Sequence, residues 1–368
     1  MNLAMINFYF LKNFLAYRAQ SNQVKFGTKK GFTLIELLVT VIIGGLVVSF
    51  ATGIMVDILR VNQEERARTA TQKDMKRTLD YIKRDLKEAS FIYTGEQIRN
   101  QRGTGSNQVD PFREELDVNN NYTIALAFWK PETIPYTPGG ADVPPAEDCD
   151  SDNISSETTT DECQALTTER RTYTLVVYLQ QEIIDSDSTW SGKSVIRRYE
   201  LRKYDNGDTY NSGKYLSLNV KDGYVDPRKE ADGFDRWPYN RQGESLQDNK
   251  PKVDGNSSKV LVDFVGSPEP NSDSFDYNDV PTANIPNCNE GYSRTPADSK
   301  SFFACVKKRD LEGEFAQGNQ DIFLYLRGNP DGRFGYKIRA GRLESYTPLP
   351  ILESGVLVRG VVDKFLNN

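Results

Sequence analysis

Histidine is absent from all 368 residues. That one absence excludes the Ser-His-Asp triad, the Cys-His dyad, His-ligated zinc and the HExxH helix of metallopeptidases. An excess of positive charge is also lacking: Lys plus Arg number 46 against 52 for Asp plus Glu, a net charge of −6. No nucleic-acid partner held by phosphate neutralisation is expected from such a balance. Long apolar runs are lacking too, except for one near the N-terminus. What remains is 38% apolar and 11% aromatic, which excludes a disordered or collagen-like chain and suffices for a sizeable core.

The exception runs from Phe32 to Val56, FTLIELLVTVIIGGLVVSFATGIMV, 25 residues in which Glu36 is the single ionisable side chain. As a helix it would extend roughly 37 Å, enough to cross a hydrocarbon core of about 30 Å. No acid occurs before it, whereas Lys12, Arg18, Lys25, Lys29 and Lys30 give residues 1–31 a charge of +5. By the positive-inside rule that end stays cytoplasmic. An acid inside such a segment costs about 2.5–3.5 kcal/mol on insertion scales and marks a functional position. Glu36 is therefore the first candidate site residue.

A secretory signal places its apolar stretch before the cleavage site. Here the order is reversed, because Lys30-Gly31-Phe32-Thr33-Leu34-Ile35-Glu36-Leu37-Leu38-Val39 puts a basic flank and a small residue ahead of the apolar stretch. This run resembles the processing site of type IV pilins and pseudopilins. The resemblance implies that a prepilin peptidase cuts after Gly31 and that Phe32, the new N-terminus, is methylated. It implies that Glu36 meets the terminal amine of a neighbouring subunit during assembly. It also implies partners: other pilins or pseudopilins, the inner-membrane assembly platform and the membrane itself. The domains expected are a removed leader (residues 1–31), a transmembrane and assembly helix (32–92) and a β-rich globular domain (93–368). The protein would sit in the inner membrane with a single pass, its globular domain in the periplasm or on an extracellular filament.

Beyond Val56 the chain becomes amphipathic. Met75, Leu79, Ile82, Leu86 and Ala89 recur at spacings of 4, 3, 4 and 3, one face of a helix predicted to continue to about Phe91. Glu64/Arg68, Asp80/Arg84 and Arg84/Glu88 are opposite charges four residues apart on its other faces. Short β-branched and aromatic runs then follow at 122–129, 172–179, 194–204, 259–265, 301–306, 321–327 and 355–362, separated by long polar loops. They predict an antiparallel β-domain, so the fold class is α+β, a long helix packed on antiparallel sheet. The stretch 205–256 shows no pattern that places it.

Cys149, Cys163, Cys288 and Cys305 form two close pairs in the part expected to be exported, which favours disulfides of Cys149 with Cys163 and Cys288 with Cys305. Both pairs read as polar-loop cysteines, and their spacings lack the knuckle of a four-thiolate zinc site. Some pseudopilins hold calcium in acidic loops, which here would be 117–121, 205–208 or 273–279. None has the twelve-residue spacing of a calcium loop, so each reads first as a solvated turn and no cofactor is expected. Setting aside the +5 of residues 1–31 takes the charge from −6 to −11, a surface that repels anionic polysaccharide.

The run DYIKRDLKEASFIYTG and the pair TYTLVVYL and SVIRRYELRKY resemble the larger minor pseudopilins, the J-type subunits of type II secretion and the W-type minor pilins. Within that group they are similar to the pseudopilins of cyanobacterial hormogonium polysaccharide secretion. The function implied is a non-enzymatic minor pseudopilin supporting export of polysaccharide or protein. The alternative is a minor type IV pilin whose large domain acts as an adhesin or cargo-binding module.

Overall fold

The computed structural model describes residues 31–102, 108–134, 149, 160–183, 189–204, 220–268, 285–308, 320–338 and 348–358. Helix α1 spans Leu34–Leu86 without an internal proline. By contacts the chain divides within this helix into two compact units, one ending at Leu59 and the other starting at Arg60.

In the first unit every large apolar side chain of the helix, from Leu34 to Leu59, is exposed in the protein. The helix is long and apolar enough to cross a membrane, and its most apolar 18-residue stretch, of mean hydropathy 2.5, has no buried residue. Thr40 and Thr52 turn their hydroxyls onto the helix's own carbonyls, those of Leu37 and Val48, at 2.8 Å each. Their polar groups are thereby satisfied within the segment, as a helix surrounded by lipid requires.

The second unit combines the remainder of α1 with two antiparallel sheets. The first has the order β1-β3-β4-β5-β7, from Phe91–Ile92, Tyr122–Thr133, Arg171–Glu182, Ser194–Leu201 and Ser258–Val265. The second has the order β11-β10-β9-β8, from Leu352–Val358, Gln320–Leu326, Phe302–Lys307 and Tyr292–Thr295. β2 (Asp117–Val118) and β6 (Lys252–Val253) form a small parallel pair. Two further helices are α2 (Gly95–Arg99) and α3 (Thr160–Glu169).

The apolar stripe read from the sequence is the docking face. Met75, Leu79, Ile82, Leu86 and Ala89 are buried with Phe128, Val176, Tyr178 and Ile196 of the first sheet and Phe302, Ala304, Leu324 and Leu326 of the second. Each such apolar side chain stabilises by about 1.5–3 kcal/mol when fully buried. Alternate residues of β3 and β4 point the other way. Ala127, Trp129, Val177 and Leu179 meet Phe112, Tyr224, Phe234 and Trp237 in a second core. The five-stranded sheet is thus covered on both faces, which explains why β4 reads TLVVYL as a continuous apolar run rather than an alternation.

Strands lie at all seven expected places among the described residues, the last as Leu352–Val358 with 359–362 of the expected 355–362 outside the described residues, together with the short β1, β2, β6 and β8, of two to four residues, too brief to leave a periodic signal. The helix ends at Leu86 rather than near Phe91. There the chain turns: the Ala89 amide donates to Leu86 O, the Ser90 amide donates to Trp129 O, and Phe91–Ile92 pair with Trp129 and Phe128 of β3. Pairing with a central strand outweighs the helix propensity of two residues that favour strand in any case. The side chain of Gln320 completes this short strand by donating to Ile92 O and accepting from Ile92 N, both at 3.3 Å. The patternless stretch is in part the cover of the second core, through Tyr224, Phe234, Trp237 and Val253; residues 205–219 lie outside the described residues.

The structure joins Cys149 to Cys163 and Cys288 to Cys305. The reading of both pairs as polar-loop cysteines is corrected, because Cys163 lies in α3 and Cys305 in β9, and both are buried among apolar side chains. The acidic stretch 117–121 forms β2 and a turn in which Asn119 Oδ1 accepts the Asn121 amide at 3.1 Å. The clusters 205–208 and 273–279 lie outside the described residues. Among the described residues no three His, Cys, Asp or Glu side chains are placed to hold a metal ion.

Candidate functional site

Gly31 and Phe32 precede the helix in non-helical backbone, and the Phe32 side chain is 77% exposed. Helix α1 begins immediately after Thr33, and its first turn is closed by a reciprocal cap. The Glu36 amide donates to Thr33 Oγ1 at 3.3 Å, while Glu36 Oε2 accepts from the Thr33 amide at 3.4 Å and from Thr33 Oγ1 at 3.3 Å. Two amides at the helix start, which lack intrahelical partners, are satisfied in this way, and the carboxylate lies where the helix dipole favours negative charge. Glu36 is therefore not a solitary acid: it has a local partner inside its own helix. The Thr33-x-x-Glu36 spacing ahead of an apolar run is a recognised sequence signature, and it was the available signal for this cap.

The structure brings Gly31, Phe32 and Glu36 together at one helix start, whereas the four cysteines lie within the second unit, apart in sequence and in role. A third cluster was missed. Asp85 lies on the buried side of α1, 8% exposed, beside Ile82 and Leu86. It accepts from Lys130 Nζ at 2.8 Å, from Tyr178 Oη at 2.8 Å and from Arg198 Nε at 2.9 Å, that is, from three neighbouring strands, β3, β4 and β5. Lys130 also lies 3.5 Å from Glu88, and Arg198 pairs with Glu200. Arg202 continues the network to Glu132 at 2.9 Å and to Glu200 at 3.3 Å.

Burial alone would push the Asp85 carboxyl upward, but the charge of Arg198 and the hydrogen bond and charge of Lys130 overcome it, holding its pKa below the usual carboxylate value. Tyr178 is driven the other way, chiefly by burial and then by the Asp85 charge, and stays protonated as a donor. The sequence signal for this cluster was an acid at position i+3 from Ile82 on the apolar stripe, where an unpaired charge could not be tolerated.

The helix start is exposed, non-helical backbone at Gly31 and Phe32 followed by a capped apolar helix. Residues 27–52 match the family model described as the prokaryotic N-terminal methylation motif, and Gly31, Phe32 and Glu36 fall within that match. The chain thus carries the N-methylation motif of type IV pilin-like, prepilin-processed proteins. The motif implies processing by a prepilin peptidase and assembly with other pilins, and with the apolar helix it fits membrane anchoring and a structural rather than an enzymatic role. No curated protein and no solved structure matches the chain.

Proposed function

We propose that the chain is a minor pseudopilin: a single-pass inner-membrane precursor cut after Gly31, methylated on Phe32 and built through its N-terminal helix into a filament that supports export of polysaccharide or protein. The single observation that carries this reading is the bare apolar helix starting at the Thr33–Glu36 cap within the methylation motif. Every large apolar side chain from Leu34 to Leu59 is without cover in the protein itself, so its surroundings must come from lipid before assembly and from other subunits after it.

Cleavage after Gly31 creates an amine on Phe32, a new donor close to the Glu36 carboxylate. In the precursor that carboxylate already holds the Thr33 amide. Assembly on this reading requires Glu36 to extend its bonding from its own helix start to the terminus of a neighbour. The globular unit follows the helix into the periplasm, in keeping with the positive residues before Phe32 and with the two disulfides, which favour an oxidising compartment.

Intact mass of the membrane-extracted protein tests the processing step. A chain beginning at methylated Phe32 is expected, and Gly31→Val leaves residues 1–31 attached. A mature chain still beginning at Met1, or cut after the apolar run, would refute the reading. Assembly is tested separately by crosslinking through cysteines placed along residues 37–45. Glu36→Val is expected to be cleaved and to remain in the membrane, yet to lose crosslinks to partner subunits; equal crosslinking in both proteins would remove Glu36 from the mechanism.

A further inference from the structure

An edge strand presents a row of amides and carbonyls that can pair with another chain. Among the described residues the two large sheets have four edges, β1 and β7 in the first, β11 and β8 in the second. Three of them are poor templates for a further strand. β1 has two residues, and β8 has four and runs into Pro296, which has no amide to donate. β7 pairs with β5 through two register shifts, carries Lys259 and Asp263, and holds Phe264 in the left-handed region at φ +55°.

β11 has none of these protections. Its seven residues, Leu352–Val358, pair with β10 without a register shift, include no proline or lysine and carry one charge, Glu353. Among the described residues no strand pairs with its outer side. Its side chains alternate between two faces. Val356 and Val358 are buried, with Leu352 packed against the same core, whereas Leu357 is 57% exposed and Glu353 and Gly355 are exposed as well. Gly355 has no side chain, so its exposure is that of the backbone itself.

The edge selects a strand as its partner, and the residues of β11 select which strand. A second β11 laid antiparallel about Gly355 sets Leu352 against Val358, Ser354 against Val356, Gly355 against Gly355 and Glu353 against Leu357. The inner side then continues the apolar core across the join. On the outer side the two Glu353 carboxylates stand four residues apart, roughly 14 Å at about 3.4 Å per residue, beyond the Debye length of about 8 Å at physiological salt. β11 is thus complementary to itself, in a chain whose net charge of −6 otherwise opposes self-association. We propose that two copies of the chain pair through β11, antiparallel about Gly355, joining two four-stranded sheets into one of eight strands. A single strand pair buries less surface than a stable interface requires, so the dimer is transient and is best read by covalent trapping.

The inference goes beyond the assembly reading and does not depend on it, because the pairing needs neither cleavage after Gly31 nor Glu36. All four cysteines lie in disulfides, which leaves an introduced cysteine as the sole thiol. A Cβ at Gly355 meets only the Phe323 ring, at 3.4 Å, and is accommodated. The test oxidises membranes containing the full-length Gly355→Cys protein with copper phenanthroline and identifies the disulfide-linked species by mass. A homodimer linked through position 355 is expected, in the uncleaved Gly31→Val protein as well. Leu357→Cys should yield at least fivefold less, since its two copies stand four residues apart across the join. Charge gives a second readout in the Gly355→Cys protein. Leu357→Glu sets like charges opposite Glu353 and should reduce the homodimer at least fivefold, whereas Leu357→Lys should preserve it. Both change an exposed side chain, and an unchanged circular dichroism spectrum checks the fold. The proposal is overturned by absence of the homodimer at position 355 or its loss in the Gly31→Val protein. It is equally overturned by equal yields at positions 355 and 357, by equal yields from the glutamate and lysine variants, or by crosslinks from position 355 to a different protein alone.

Discussion

The two stretches of helix α1 are continuous in backbone and opposite in what they ask of their surroundings. From Leu34 to Leu59 the large apolar side chains are exposed on all sides, and the only ionisable groups are Glu36, held by the helix start itself, and Asp57 near the end. From Arg60 to Leu86 one face is buried, and even its acid, Asp85, receives donors from three strands. The first stretch has its backbone and its threonine hydroxyls satisfied internally and its apolar surface uncovered; the second has its apolar surface covered within the chain. Burial therefore separates the two: among the described residues nothing covers the apolar surface of the first stretch.

Breaking the covered stretch should have the largest effect. Asp85→Asn leaves Lys130 and Arg198 without their shared carboxylate and should destabilise the globular unit by about 3–5 kcal/mol, read from urea unfolding. The same measurement against pH has a definite sign. The Asp85 pKa is depressed in the folded state, so its contribution is complete above about pH 4, the ordinary range for Asp, and is lost as pH falls through the folded value. Asp85→Asn should flatten that part of the acid profile; an unchanged profile would mean that other carboxylates govern acid unfolding.

Removing the disulfides should have the next largest effect. Their sequence separations are 14 and 17, and replacing either pair by serine should lower stability by about 3 kcal/mol in the chain-entropy view. Thermal melts with and without reductant would show it. A smaller loss follows from Gly328→Ala. A methyl there would lie 2.4 Å from Thr71 Cγ2 and 3.0 Å from Met75 Cγ, against the docked face of α1. Overpacking of this kind costs about 1–3 kcal/mol, and the shift of the urea midpoint measures it. Smallest of all should be Val41→Ala and Leu46→Ala in the uncovered stretch, where the side chains are 65% and 67% exposed. The unfolding midpoint of the globular unit should not move, and a shift beyond about 0.5 kcal/mol would show that this stretch is not independent of it.

Much of this contrast could be read in the residues. The apolar run with one acid, the basic flank and the stripe Met75, Leu79, Ile82, Leu86 are local patterns, and local patterns survive in a linear text. The seven longer strands did so as well, because burial on one or both faces forces runs of β-branched and aromatic side chains. The sequence did not disclose the second core, because Phe112, Trp129, Tyr224 and Trp237 come from elements far apart in the chain and meet only after the sheet forms. The Asp85 cluster was hidden for the same reason: its donors lie 45, 93 and 113 residues away. Strands of two residues such as β1 carry no period at all and depend on a neighbour, here Trp129 and Phe128, to exist.

The convergence of β3, β4 and β5 on one carboxylate has a mechanical consequence. On the proposed assembly reading, a subunit drawn by its N-terminal helix would take load into its globular unit through α1. At Asp85 such a load would not fall on a single strand that could be peeled from the sheet edge. It would be divided at once among three adjacent strands whose backbones are already hydrogen-bonded to one another, so that yielding at this point would require several strong bonds to fail together rather than in succession.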